Sequence, residues 1–91
     1  MSQVLVEKYP SPMKLEVLNV EDWPILQHEA GQFDAYKERT ETSLILEGEA
    51  QIQVDGEQPV VIQEGDLVTI LPGTRCSWHI TKAIKRHHSL G

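Results

Sequence analysis

Cys76 is the only thiol in this 91-residue chain, and a thiolate near Arg75 or Lys37 would be stabilised and reactive as a nucleophile. No base is obviously placed beside it, and a lone cysteine on a strand is more often a small buried hydrophobe. Native Cys76 is therefore expected to resist iodoacetamide at neutral pH. Tyr36 and Trp78 have the flat apolar surface that walls small-molecule pockets, although aromatics in so small a chain more often fill the core. The neighbours His87 and His88 cannot readily chelate one ion from a strand, because adjacent side chains face opposite ways, so they read as surface residues. His28 has no partner at ligand-like spacing. The acids Glu47, Glu49, Glu57, Glu64 and Asp66 form no dense calcium loop and read as a solvated face. There is no glycine-rich phosphate loop, Ser-His-Asp arrangement or paired-cysteine zinc framework.

The elements that would carry these residues are mostly strands. From Ser43 onward Leu44, Leu46, Ala50, Ile52 and Val54 share one parity, and Glu47, Glu49, Gln51 and Gln53 the other, which is the period of a half-buried strand. Gly48 interrupts the run where a bulge would turn a barrel corner. Asp55-Gly56 tolerates positive φ and predicts a tight turn, with Val60 to Ile62 as the returning strand. Glu64-Gly65-Asp66 and Pro72-Gly73 mark further turns around an apolar strand from Leu67 to Leu71. Two more strands follow, Arg75 to Ile80 and Ala83 to His88. Before Asp34 the text is broken. Val4 and Val6 alternate as an edge strand would, Pro10 and Pro12 forbid regular pairing, and Asn19 is placed to cap one helical turn that Pro24 limits. Trp23, on that turn, is expected to plug an open barrel end. The expected organisation is one domain over 1–91, an arm of about 1–32 and a barrel of about 33–88.

Bulk composition narrows the partners. Fourteen acidic residues against 8 basic ones give a net charge of −6, which repels nucleic-acid phosphates and anionic lipid alike. The amino terminus has neither a basic leader nor a long apolar stretch, and no apolar run is long enough to span a bilayer. With its single cysteine, the chain reads as a cytoplasmic protein without a removed leader. At this length the surface-to-volume ratio is poor, so a homodimer is expected.

The run Glu41-Thr42-Ser43-Leu44-Ile45-Leu46-Glu47-Gly48-Glu49, followed by Asp55-Gly56, Gly65-Asp66-Leu67-Val68 and Pro72-Gly73, resembles the cupin superfamily over most of the chain. With Phe33-Asp34-Ala35-Tyr36 before it and Cys76-Ser77-Trp78 after it, it looks closest to small single-domain cupins of the ureidoglycine aminohydrolase-like group. The resemblance implies an all-β, RmlC-like jelly-roll barrel, the double-stranded β-helix of the cupins, often dimeric. Cupins commonly hold a metal through Gly-x5-His-x-His-x(3,4)-Glu-x6-Gly and Gly-x5-Pro-x-Gly-x2-His-x3-Asn. Here Glu41 to Gly48 fits the end of the first motif, but its histidine positions hold Ala35 and Lys37, or Asp34 and Tyr36. In the second motif Gly65 and Gly73 match, the proline has moved to Pro72, the histidine is Cys76 and the asparagine is Ile80.

Of four usual ligands only Glu41 survives unchanged, and a catalytic transition metal generally takes at least three protein ligands. Any metal would rest on Glu41 and Cys76, with Asp34, Tyr36 or His79 as a third, although alternation sends His79 to the face opposite Cys76. Lys37 is instead expected to neutralise Glu41 in the barrel mouth as a cation would. The reading is a cupin whose cavity, lined by Tyr36, Lys37, Glu41, Cys76 and Trp78, binds a small polar metabolite without a metal cofactor. Two alternatives stand beside it. One is an enzyme using a divalent transition metal on a small nitrogenous compound, and the other is a structural dimer with a closed cavity.

Overall fold

Alternating apolar residues and glycine-marked turns produce seven strands in the computed structural model, which describes residues 3–90. They are β1 (Val4–Lys8), β2 (Ile25–His28), β3 (Gly31–Lys37), β4 (Glu41–Val54), β5 (Val60–Gln63), β6 (Asp66–Ile70) and β7 (Thr74–Leu90). Between β1 and β2 lie a short helix, α1 (Pro12–Val17), and a 3-10 turn over Val20–Asp22. All pairings are antiparallel. Among the described residues no helix is long and apolar enough to cross a membrane.

Two long strands hold the architecture together. The first half of β4 pairs with the last third of β7, Glu41 to Leu90 and Ile45 to Arg86, while its second half pairs with the start of β7, Ala50 to Ile80 and Val54 to Cys76. Each strand bends between those halves and so serves both walls of a jelly roll. One wall contains β3 and β5 beside the halves around Cys76 and Ile52, and the other contains β2, β6 and β1 beside the halves around Arg86 and Ser43. The stretch from Arg75 to His88, expected as two strands, is therefore one continuous bent strand.

The bend in β4 corrects the expected core. Register shifts between Ile45 and Ala50 break the alternation, so Glu41, Ser43 and Ile45 face inward before the bend, and Ala50, Ile52 and Val54 after it. Leu44 and Leu46, expected inside, lie on the outer face and are only half-buried. Gly48 sits at the bend with φ +98°, and a Cβ there would collide with the Ala83 carbonyl oxygen. Only a residue without a side chain lets the two bent strands approach so closely.

The amino-terminal text also holds more order than its prolines suggested. Ser11 caps α1, its hydroxyl accepting from the Lys14 amide at 3.2 Å, and Pro12 occupies the first turn, where a missing N–H costs nothing. Asn19 does precede a single turn, but in a left-handed conformation and without a side-chain cap. Trp23 is half-buried at the end of that turn, and its carbonyl accepts from His87 Nδ1 at 2.9 Å. Asp66, expected on a solvated face, is 1% exposed and accepts from Lys8 Nζ at 2.7 Å and the Gln63 amide at 2.9 Å. The expected turn at Asp55-Gly56 closes with Glu57 N–H donating to Val54 O at 2.9 Å, although pairing resumes only at Val60.

Candidate functional site

The apolar core fills the middle of the barrel with Ile52, Ile62, Trp78, Ile80 and Ile84, and one end of the interior is charged. At that end β4 contributes Glu41 and Ser43, β7 contributes Arg86 and His88, β3 ends in Lys37 and β2 ends in His28. Alternation alone places most of them. On β7, Arg86 and His88 share the parity of Cys76, Trp78 and Ile80, so they point into the same interior.

Glu41 is the hub. Its Oε2 accepts from Lys37 Nζ at 2.9 Å and its Oε1 from Arg86 Nη1 at 2.9 Å, with both Glu41 and Arg86 almost completely buried. Arg86 Nη1 also donates to Ser43 Oγ at 2.7 Å, and Arg86 Nη2 donates to His28 Nε2 at 3.3 Å. Accepting that bond places the His28 proton on Nδ1. The guanidinium lies over the Trp78 ring at 5.0 Å, and Trp78, Phe33 and His28 stack in sequence with centroids 5.8 and 5.4 Å apart. A flat aromatic column thus holds the flat cation in register with its carboxylate.

Two polar atoms of the cluster are left over. Arg86 Nε and His88 Nδ1 are buried without a hydrogen-bond partner among the described residues, the latter 3.4 Å from Glu41 Oε2. Lys37 and His88 reach the mouth, each with 17% of its side chain exposed.

Charge and burial set the protonation states. Burial alone would raise Glu41, but the Lys37 hydrogen bond and the Arg86 charge outweigh it and hold the carboxyl below its ordinary range. Burial lowers both His28 and His88, aided by the Arg86 charge and opposed by Glu41, so both favour the neutral imidazole. Burial pushes the Cys76 thiol up, with Lys37 opposing, so the packing expectation for this thiol is the one its surroundings favour.

Of the residues singled out from the sequence, Lys37 and Glu41 meet directly, and Cys76 and Trp78 lie deeper in the same interior. Trp78 Nε1 is buried without a hydrogen-bond partner among the described residues. Tyr36 does not reach Glu41: it lies on the outer face of β3, 54% exposed, with Arg75 over its ring at 5.5 Å, and it shares with Cys76 the lining of a separate recess of about 460 Å³. Asp34 and His79 are also exposed. Reasoning along the sequence missed Arg86, Ser43, His28 and His88. The signal for Arg86 and His88 was present, because both continue the inward parity of Cys76 and Trp78. His28 had no such signal, since only the pairing of β2 with β7 brings it to Arg86.

Among the described residues no group of three or more His, Cys, Asp or Glu side chains is arranged to hold a metal ion. Both Glu41 oxygens face cations, and neither Asp34, Tyr36 nor His79 stands inside to complete a set with Cys76. Recesses of about 330 to 600 Å³ open elsewhere on the surface of the described residues, and one of them touches the cluster, at His28.

A bent two-walled antiparallel barrel with a charged cluster at one end of its interior is the cupin architecture. Residues 15–88 match the EutQ-like cupin domain, Cupin_3, and the chain belongs to that family. It is 40% identical to a DUF861 family protein from Thermotoga maritima, with a TM-score of 0.92 over 97% of this chain and 99% of that one. The Clostridium difficile EutQ protein (18% identity, TM-score 0.68, 96% of this chain and 66% of that one) is similar in fold alone. So is a putative ethanolamine utilization protein Q from Salmonella typhimurium (20%, TM-score 0.66, 72% and 53%). No curated protein matches the sequence.

Proposed function

We propose that this cupin binds a small polar metabolite, preferably an anionic one, at the charged mouth of its barrel, and does so without a metal ion. The observation that carries the reading is the Arg86 side chain, 4% exposed, with its Nε donor unpartnered beside a carboxylate that is already held by two cations. With His28 and His88 neutral, Lys37 and Arg86 against Glu41 leave one positive charge uncompensated. An unmet donor and an unmet charge in one place suit an acceptor-rich ligand, because a buried donor without a partner costs about 1–3 kcal/mol until something meets it. A divalent cation at the same place would be repelled by Lys37 and Arg86, and it would have to displace both from Glu41.

Metal analysis of protein purified without a histidine tag, together with a thermal-shift screen of small anions and neutral polar compounds, tests the reading. We expect metal far below one ion per chain and a melting temperature that rises with a subset of the anions. A ligand at 100 times its dissociation constant adds about 2.7 kcal/mol to stability. Lys37→Gln keeps a donor near Glu41 but removes the charge, and should abolish that rise. Near-stoichiometric manganese, iron, nickel or zinc would favour the ureidoglycine aminohydrolase-like reading with Glu41 and Cys76 as ligands. No stabilisation by any compound would favour the closed structural barrel. The same reading takes a second copy of the chain as a partner, and a monomeric mass at every concentration in sedimentation equilibrium would remove that part of it.

A further inference from the structure

A recess of about 600 Å³ lies away from the barrel mouth, between the amino-terminal arm and the outer face of β4. Leu44 and Leu46, on the outer face of β4, form part of its lining together with half-buried Leu15, while Val20 beneath them is buried. Helix α1 borders the recess but has no buried residue, so it does not close over those leucines. Covering apolar lining that is still partly open to water favours binding of an apolar group there.

The polar lining has one sign. Glu16, Glu21 and Asp22 line the same recess, all three exposed and none in an ion pair among the described residues, and no lysine or arginine lines it. His87 is turned to Trp23, its Nδ1 donating to the carbonyl there. The whole chain carries a charge of −6, which strengthens the bias toward cations.

We propose that this recess is a second binding site, for an amphipathic cation: a small molecule in which an alkyl or aryl group covers Leu44 and Leu46 while a protonated amine meets Glu16, Glu21 and Asp22. Charge complementarity and the apolar lining are separate requirements, so each can be removed alone. A neutral alcohol of the same chain length keeps only the apolar half, and a carboxylate of that length meets repulsion.

Isothermal titration calorimetry of the full chain with hexylammonium, hexanol and hexanoate tests this. Hexylammonium should bind at least about fivefold more tightly than hexanol, the increment expected from roughly 1 kcal/mol of exposed charge attraction, and hexanoate should not bind. Added salt should weaken hexylammonium toward hexanol. Glu16→Gln with Glu21→Gln, at exposed positions that do not threaten folding, should remove most of the difference, and Leu46→Ser should weaken both ligands that bind. Lys37→Gln, which alters only the barrel mouth, should leave hexylammonium affinity unchanged, so this site and the mouth stand or fall separately. Equal affinity for hexanol and hexylammonium, or no effect of the paired glutamine variant, would overturn the proposal. So would a dimer in sedimentation that hexylammonium dissociates, because a second copy would then be the occupant.

Discussion

Glu41 and Arg86 form a buried pair whose partners depend on each other. Replacing Arg86 with methionine keeps much of its volume against Trp78 but leaves a buried carboxylate with Lys37 alone, and should cost about 3–5 kcal/mol in urea denaturation. The double variant Glu41→Gln with Arg86→Met should cost less than the two single changes summed, because it leaves no unpaired charge. The pH dependence follows from the same group of residues. Glu41 is held below its ordinary value of 4.5, and His28 and His88 below theirs of 6.5, so on acidification the unfolded chain takes up each of these protons before the native one does. Stability therefore rises with pH across each of these ranges. The contribution of the histidines is complete above 6.5 and is lost as pH falls below it, and that of Glu41 is lost as pH falls further, below 4.5. Melting temperature measured from neutral pH into acid should decline in those two stages. His28→Gln should shrink the first stage, and Glu41→Gln should remove the second. Cys76 acts in the opposite sense. Its thiol is raised above 9.0, so the unfolded chain ionises first and stability falls as pH rises past that value.

Two glycines that look alike in the sequence separate at the scale of elements. Gly48 and Gly56 both have positive φ, but a Cβ at Gly48 meets the Ala83 backbone, whereas nothing lies within 4 Å of one at Gly56. Gly56→Ala should cost about 1 kcal/mol, the strain of a left-handed alanine alone. Gly48→Ala adds a backbone collision to that strain and should cost well over about 3 kcal/mol, or prevent folding. Thermal melts of the two variants side by side make the comparison. The strands and their turns were legible in the sequence because alternation and turn chemistry are local. Gly48 was legible as a bend, but its effect on parity was not. The number of residues absorbed by a bulge depends on the strands across from it, and that number decides whether Leu44 or Ile45 faces the core. Helix α1 starts at Ser11-Pro12, a helix-start signal that the strand-breaking character of Pro10 and Pro12 masks in the sequence.

For the whole molecule, the pairings span long separations: Val4 lies beside Ile70, and Glu41 beside Leu90. Such topology makes refolding slow for a chain of this size, in the range of milliseconds to seconds, and stopped-flow fluorescence of the buried Trp78 should report it. The same long-range pairing explains what could be read beforehand of the site. Glu41, Lys37, Cys76 and Trp78 were identified from their positions along a family-like pattern. Tyr36 was misplaced because adjacent strand residues face opposite ways, and the pattern left open which of Tyr36 and Lys37 turned inward.

The sequence by itself determined the class of fold, since alternation and turn chemistry depend on residue types and on spacings of a few residues. Tertiary structure alone decided which charge accompanies Glu41 besides Lys37, because Arg86 lies 45 residues away and meets it only where the bent halves of β4 and β7 pair. Local sequence carries the period of a strand. The partners across the barrel are set by how two bent strands register against each other, and that is a property of the closed molecule.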